Sequence, residues 1–122
     1  MPKAEHKQAR WLLIAGAVLL IATALFHSTG LSMVSGWLPG MRGQVLSLLW
    51  LTPVADWSVV ALLWIIAAWH MRSELRVIVF VSAIVPAFAA VGLFMVAGAS
   101  HPGPFMLAGA AALAVLGGIR LR

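Results

Sequence analysis

The chain reads as an all-α membrane protein, a four-transmembrane-helix bundle with both termini cytoplasmic. Three observations predict this. Of 122 residues, 63% are hydrophobic and only 9% are charged, more apolar surface than a soluble globule of this size can bury. Four apolar runs are set apart by turn-forming or charged connectors. The basic residues, finally, are shared very unequally between the two ends of those runs.

The first run extends from Trp11 to about Gly30, the second from Val45 to Trp69, the third from Val77 to about Gly98 and the fourth from Phe105 to Ile119. At ~1.5 Å per residue the first three span a hydrocarbon core of ~30 Å, and the fourth needs its flanks to do so. Residues 1–122 therefore form a single transmembrane domain. A basic N-terminus before an apolar run also begins a signal peptide, but the run from Trp11 to Phe26 is too long for one, so it reads as a retained first helix. Leu31 to Val34 either prolongs that helix or lies along the interface.

The connectors carry their own logic. Ser35-Gly36-Trp37-Leu38-Pro39-Gly40-Met41-Arg42-Gly43 holds too many glycines, with a proline, to stay helical, and Ser100-His101-Pro102-Gly103-Pro104 breaks the chain again. His70 to Arg76 is the most highly charged connector. Lys3, Lys7, Arg10, Arg72, Arg76, Arg120 and Arg122 fall on one side and Arg42 alone on the other, a positive-inside pattern that predicts cytoplasmic termini. Trp11 and Trp69 then mark the inner interface and Trp37 the outer one. The expected location is an integral position in a bacterial inner membrane, with the lipid bilayer as principal partner.

The net charge of +5 belongs to these flanks rather than to one helical face, which argues against nucleic acid. With no cysteine, disulfides, thiol redox chemistry and thiolate-bound metals are excluded. No HxxxH or HExxH pair is present, so no metal is expected, and His27 and His70 lie too near opposite membrane faces to clamp a haem together. No cofactor is predicted.

Asp56 is the only acidic residue within an apolar run, near the middle of the second helix. An ionised carboxylate there costs about 2.5–3.5 kcal/mol, which predicts that it faces the bundle interior or is protonated. Its plainer role is to hydrogen-bond local backbone beside Pro53, whose missing N–H frees a carbonyl one turn earlier. His27 shares a helical face with Gly16, Thr23 and Gly30, and it either reaches Asp56 to form a protonatable pair or sits near the outer interface, bonded to Ser or Thr and solvated. Trp50, Trp57 and Trp64 recur every seven residues as an aromatic stripe, which either packs as core or lines a cavity for a lipophilic or cationic ligand. His70 and His101 read as interfacial or solvated.

Ala110, Ala114 and Gly118 on the fourth helix, and Ala83, Ala87, Ala90 and Ala97 on the third, are small-residue faces that either close the monomer or join subunits. The size and helix count resemble those of small multidrug transporters and fluoride channels. The membrane glutamate of the former and the glycine-rich and arginine motif of the latter are missing, so neither family is assigned.

The function expected from these residues is a small carrier or permeation component. Asp56 and His27 form its protonatable site, and Trp57, Trp50, Trp64 and Thr23 help hold the ligand. The alternatives are a non-catalytic accessory subunit of a larger membrane complex and a small membrane enzyme acting on a lipid-soluble substrate with Asp56 as acid or base, and the expected protein partner is either a second copy in a homo-oligomer or a larger membrane complex. The enzyme reading is the less favoured.

Overall fold

The computed structural model describes residues 3–121, apart from the side chain of Lys3. The described residues form helices and connecting turns: α1 (Lys3–Ser28), the single turn α2 (Leu31–Val34), α3 (Gly40–His70), α4 (Leu75–Ala97) and α5 (Gly103–Ile119). Three spans, Ala4–Val34, Gly40–His70 and Leu75–Ala97, are long and apolar enough to cross a membrane. α5, at 17 residues, is about 25 Å long and falls short of a full span by itself.

All four long helices begin earlier than hydropathy implied, α1 and α3 by the most. α1 starts at Lys3 rather than Trp11, because Lys3 to Arg10 consists mostly of strong helix formers with no breaker, and a helix does not stop where its side chains become polar. α3 starts at Gly40, so the segment expected to stay irregular up to Gly43 is already helical there. Pro39 is extended and Gly40 has φ of +62°, a conformation that costs glycine little, and together they turn the chain into the helix. Gly43 is not a breaker at all: a Cβ there would run into the Leu38 carbonyl, so the close approach of the preceding loop requires its absence. α2 is a separate turn that buries Val34.

The four long helices pack as an up-and-down bundle. α1 runs antiparallel to α5, with Gly16 beside Ala110 and Ala114 at one level and Gly117 beside Leu13 and Ala9 at another. It runs antiparallel to α3 as well, touching Trp50 through His27 at one end and Ala68 through Arg10 at the other. α4 completes the ring, tied to α3 by Trp64 and Ser82 and to α5 where Gly118 meets Phe80 and Val79. Ala110, Ala114 and Gly118 are all buried, so this small-residue face closes the monomer, as one of the two expected arrangements required. On α4 the small face divides: Ala83 and Ala90 are buried and Ala87 and Ala97 exposed. Large apolar side chains cover the outside, among them Ile84, Phe88, Val91 and Met95 of α4. Such a surface suits a hydrocarbon solvent.

Candidate functional site: a cavity at the His27 end

His27 lies in the last turn of α1, where backbone carbonyls run out of helical partners. Its carbonyl accepts from Gly30 N at 3.1 Å and from the Trp50 indole Nε1 at 2.9 Å. Its own ring returns the bond, with Nε2 3.0 Å from the Trp50 carbonyl oxygen. Because a carbonyl only accepts, Nε2 carries the proton. Each side chain thus donates to the other's backbone, and the two rings stack with centroids 4.4 Å apart and planes 10° from parallel. Trp57, two helical turns further along α3, presents an edge to the same imidazole at 5.3 Å and 70°.

Gly30 makes this clasp possible, since a Cβ there would sit 2.7 Å from Trp50 Cζ2. Gly30→Val is therefore expected to push the indole aside and destabilise the protein by about 1–3 kcal/mol. Thermal unfolding in detergent measures this, and a wild-type melting temperature would show that Trp50 yields without cost.

The clasp forms one wall of a cavity of about 300 Å³, whose lining includes Thr23, Phe26, His27, Trp50, Trp57 and His101, with Leu93 of α4 and Gly103 of α5 opposite. Thr23 is buried and donates its hydroxyl to Leu19 O at 2.8 Å, which leaves only acceptor capacity on the oxygen. His101 Nδ1 accepts from Gly103 N at 3.1 Å, satisfying a free N–H of the first turn of α5, and its ring lies 6.1 Å from Phe26. Among the described residues no side-chain nitrogen or oxygen shut off from solvent lacks a partner. The hydrogen bond of the His27 ring involves Nε2 alone; in the neutral imidazole Nδ1 then carries the lone pair, and the ring lines the cavity.

Of the residues expected to form a site, the fold brings together His27, Thr23, Trp50 and Trp57, and leaves out two. Trp64 is fully buried beyond the cavity lining, with its Nε1 donating to Ser82 Oγ at 2.8 Å and Ser82 Oγ in turn to Val79 O at 3.2 Å. It is a core residue joining α3 to α4. Asp56 does not face the interior. It is exposed on the outer flank of α3 near Thr52 and Val59, and His27 makes its hydrogen bond to Trp50 instead. The reason is rotational. Neighbouring helical residues point about 100° apart, so burying Trp57 turns Asp56 away from the bundle. Thr52 and Ser58 satisfy their hydroxyls on Leu48 O and Val54 O, an option closed to an ionised carboxylate, which only accepts.

His101 was set aside as a solvated loop residue, yet it borders the cavity. Its place just before Gly103-Pro104 at a helix start was the available signal, since acceptors are wanted there. Phe26 and Leu93 carried no sequence signal. Among the described residues, no group of three or more His, Asp or Glu is positioned to hold a metal ion. Comparison with protein-family models, with curated proteins and with solved structures gives no match.

Proposed function

We propose that this protein binds a small lipophilic molecule bearing a hydrogen-bond donor, such as a hydroxyl, in the cavity beside His27, and that it acts as a membrane carrier or holder of that molecule. The observation that carries the reading is the His27 ring, held by its Nε2 on the Trp50 carbonyl and lining a cavity walled by two indoles, so that in the neutral imidazole Nδ1 is the nitrogen left to accept from a ligand. A cavity of about 300 Å³ lies at the lower end of small-molecule sites, and its few polar groups among apolar walls are what such sites use to orient a ligand. The residues lining it include no carboxylate, which favours a neutral ligand over the cationic alternative. Leu20 and Trp64, both without exposed surface, fill the bundle interior and favour a holder or carrier over an open pore. The positive-inside distribution orients the His27 end away from the cytoplasm and keeps both termini cytoplasmic, in keeping with an inner-membrane protein. The enzyme reading loses support, since Asp56, its intended acid or base, lies outside the cavity.

A second reading has its own support. The exposed Asp56 flank of α3 favours association with another membrane helix that brings a hydrogen-bond donor or a cation to that depth, as an accessory subunit would. The two readings use different surfaces and are compatible.

The test compares 2-naphthol with naphthalene, which differ by one hydroxyl, by equilibrium binding to purified protein in detergent. Wild type is expected to prefer naphthol by about two- to tenfold, the worth of one hydrogen bond. His27→Leu should abolish the preference while naphthalene still binds, whereas Asp56→Asn should leave both affinities unchanged. Equal affinity of wild type for the two probes, or a preference that survives His27→Leu, would refute the reading.

A further inference from the structure

At the opposite end of the α1–α3 seam lies a second cavity, independent of the His27 site and larger, at about 420 Å³. Its walls are Ile14, Ile65, Ala68 and Trp69, and its one charged member is Arg10. Arg10 Nε donates to Ala68 O at 3.1 Å, a carbonyl in the last turn of α3 that lacks a helical partner. This bond pins the guanidinium at the groove and, among the described residues, is the only hydrogen bond it makes. The η nitrogens keep their donors. Arg10 is exposed, as are Trp69 and the neighbouring Trp11, at 78% and 60%.

We propose that this groove is a binding site for an anionic phospholipid, with the headgroup phosphate on Arg10 and one acyl chain laid between Ile14 and Ile65. The charge complementarity is direct. A planar guanidinium offers paired N–H donors to phosphate oxygens, and its Nε anchor to Ala68 lowers the entropy lost on binding. The groove walls offer an acyl chain almost purely apolar surface, and the exposed indoles of Trp11 and Trp69 suit the level at which a headgroup meets the chains. A free phosphate ion would use only the mouth, so the apolar length behind Arg10 favours the lipid.

The experiment measures the lipid retained by purified full-length protein, using native mass spectrometry after exchange into mixed micelles. The micelles contain phosphatidylglycerol or phosphatidylcholine with identical chains. Wild type is expected to retain phosphatidylglycerol about fivefold over phosphatidylcholine, the effect of one basic side chain near the surface. Arg10→Gln should reduce that ratio to about one. Ile14→Phe, which fills the groove without touching the charge, should lower retention of both lipids. If Arg10→Gln unfolds, Ile14→Phe and Arg10→Lys carry the test, the lysine variant retaining part of the preference.

Equal retention of the two lipids by wild type would overturn the proposal. So would a phosphatidylglycerol preference unchanged by Arg10→Gln, which would assign it to the general basic charge of that end. Displacement of the lipid by excess glycerol phosphate would also overturn it, because the chain would then contribute nothing.

Discussion

Ala114→Leu is expected to destabilise the bundle by about 3 kcal/mol, the upper part of the range for overpacking. Ala114 is fully buried at the α1–α5 crossing. Facing it is Gly16, where even a Cβ would stand 3.3 Å from the Ala114 backbone nitrogen and 3.1 Å from the Ala110 carbonyl oxygen. Backbone lies on both sides of this contact and cannot rotate away as a side chain can, so a leucine there has to separate the helices. Between helices in lipid, that separation also sacrifices the van der Waals contact that holds them together. Gly118→Leu should behave alike, since a Cβ at Gly118 would lie 2.9 Å from Phe80 Cε1 and 3.1 Å from Val79 Cγ1. Thermal unfolding and size-exclusion elution in detergent report the result. Wild-type values for both variants would mean that these positions face lipid and that the packing of α5 is wrong.

Trp64→Ala should cost as much or more, about 3–5 kcal/mol, because it removes a fully buried indole and its bond to Ser82 from the α3–α4 seam. Trp64→Phe should cost far less, about 1 kcal/mol, since most of the volume remains and Ser82 still donates to Val79 O. The pair of variants separates the stripe into its two parts. Where the protein remains folded, Trp64→Phe should leave the naphthol preference intact, whereas Trp57→Ala should weaken binding of both aromatic probes by removing a wall of the cavity. Loss of the hydroxyl preference on Trp64→Phe, with Trp57→Ala silent, would place the ligand in the wrong half of the bundle.

Much of the fold was legible in the sequence because apolar length and turn chemistry act locally. The four runs, the breaks at Pro39 and Pro102 and the small faces of α5 follow from side chains and their immediate neighbours. The early starts of α1 and α3 were missed for a related reason: hydropathy locates where a helix prefers hydrocarbon, not where its hydrogen bonds begin.

The site was legible in part. The seven-residue spacing of Trp50, Trp57 and Trp64 marked one face of α3, and all three point inward, two of them into the cavity. Asp56 was expected either to face the interior or to be protonated, and its exposed position on α3 removes the first of these. The bulk of three tryptophans sets the rotation of α3, and a single carboxylate one residue from Trp57 follows that rotation. His27 was expected to reach either Asp56 or a nearby Ser or Thr, but its ring bonds to the backbone carbonyl of Trp50, which no pattern of side chains reveals. Leu93 entered the cavity only through the return of α4, a long-range placement that helical periodicity does not encode.

The protonation state of the His27 ring tests the account most directly. Nitrogen NMR of protein labelled at histidine, with His27 assigned by its loss in His27→Leu, reads the two ring nitrogens separately. The account predicts a protonated Nε2 and an unprotonated Nδ1 in the free protein, and an upfield shift of Nδ1 alone when 2-naphthol is added, as the lone pair accepts a hydrogen bond. Naphthalene should produce no such shift. A proton on Nδ1 in the free protein, or an Nδ1 signal unmoved by saturating naphthol, would contradict the central claim that His27 offers its open nitrogen to a ligand in this cavity.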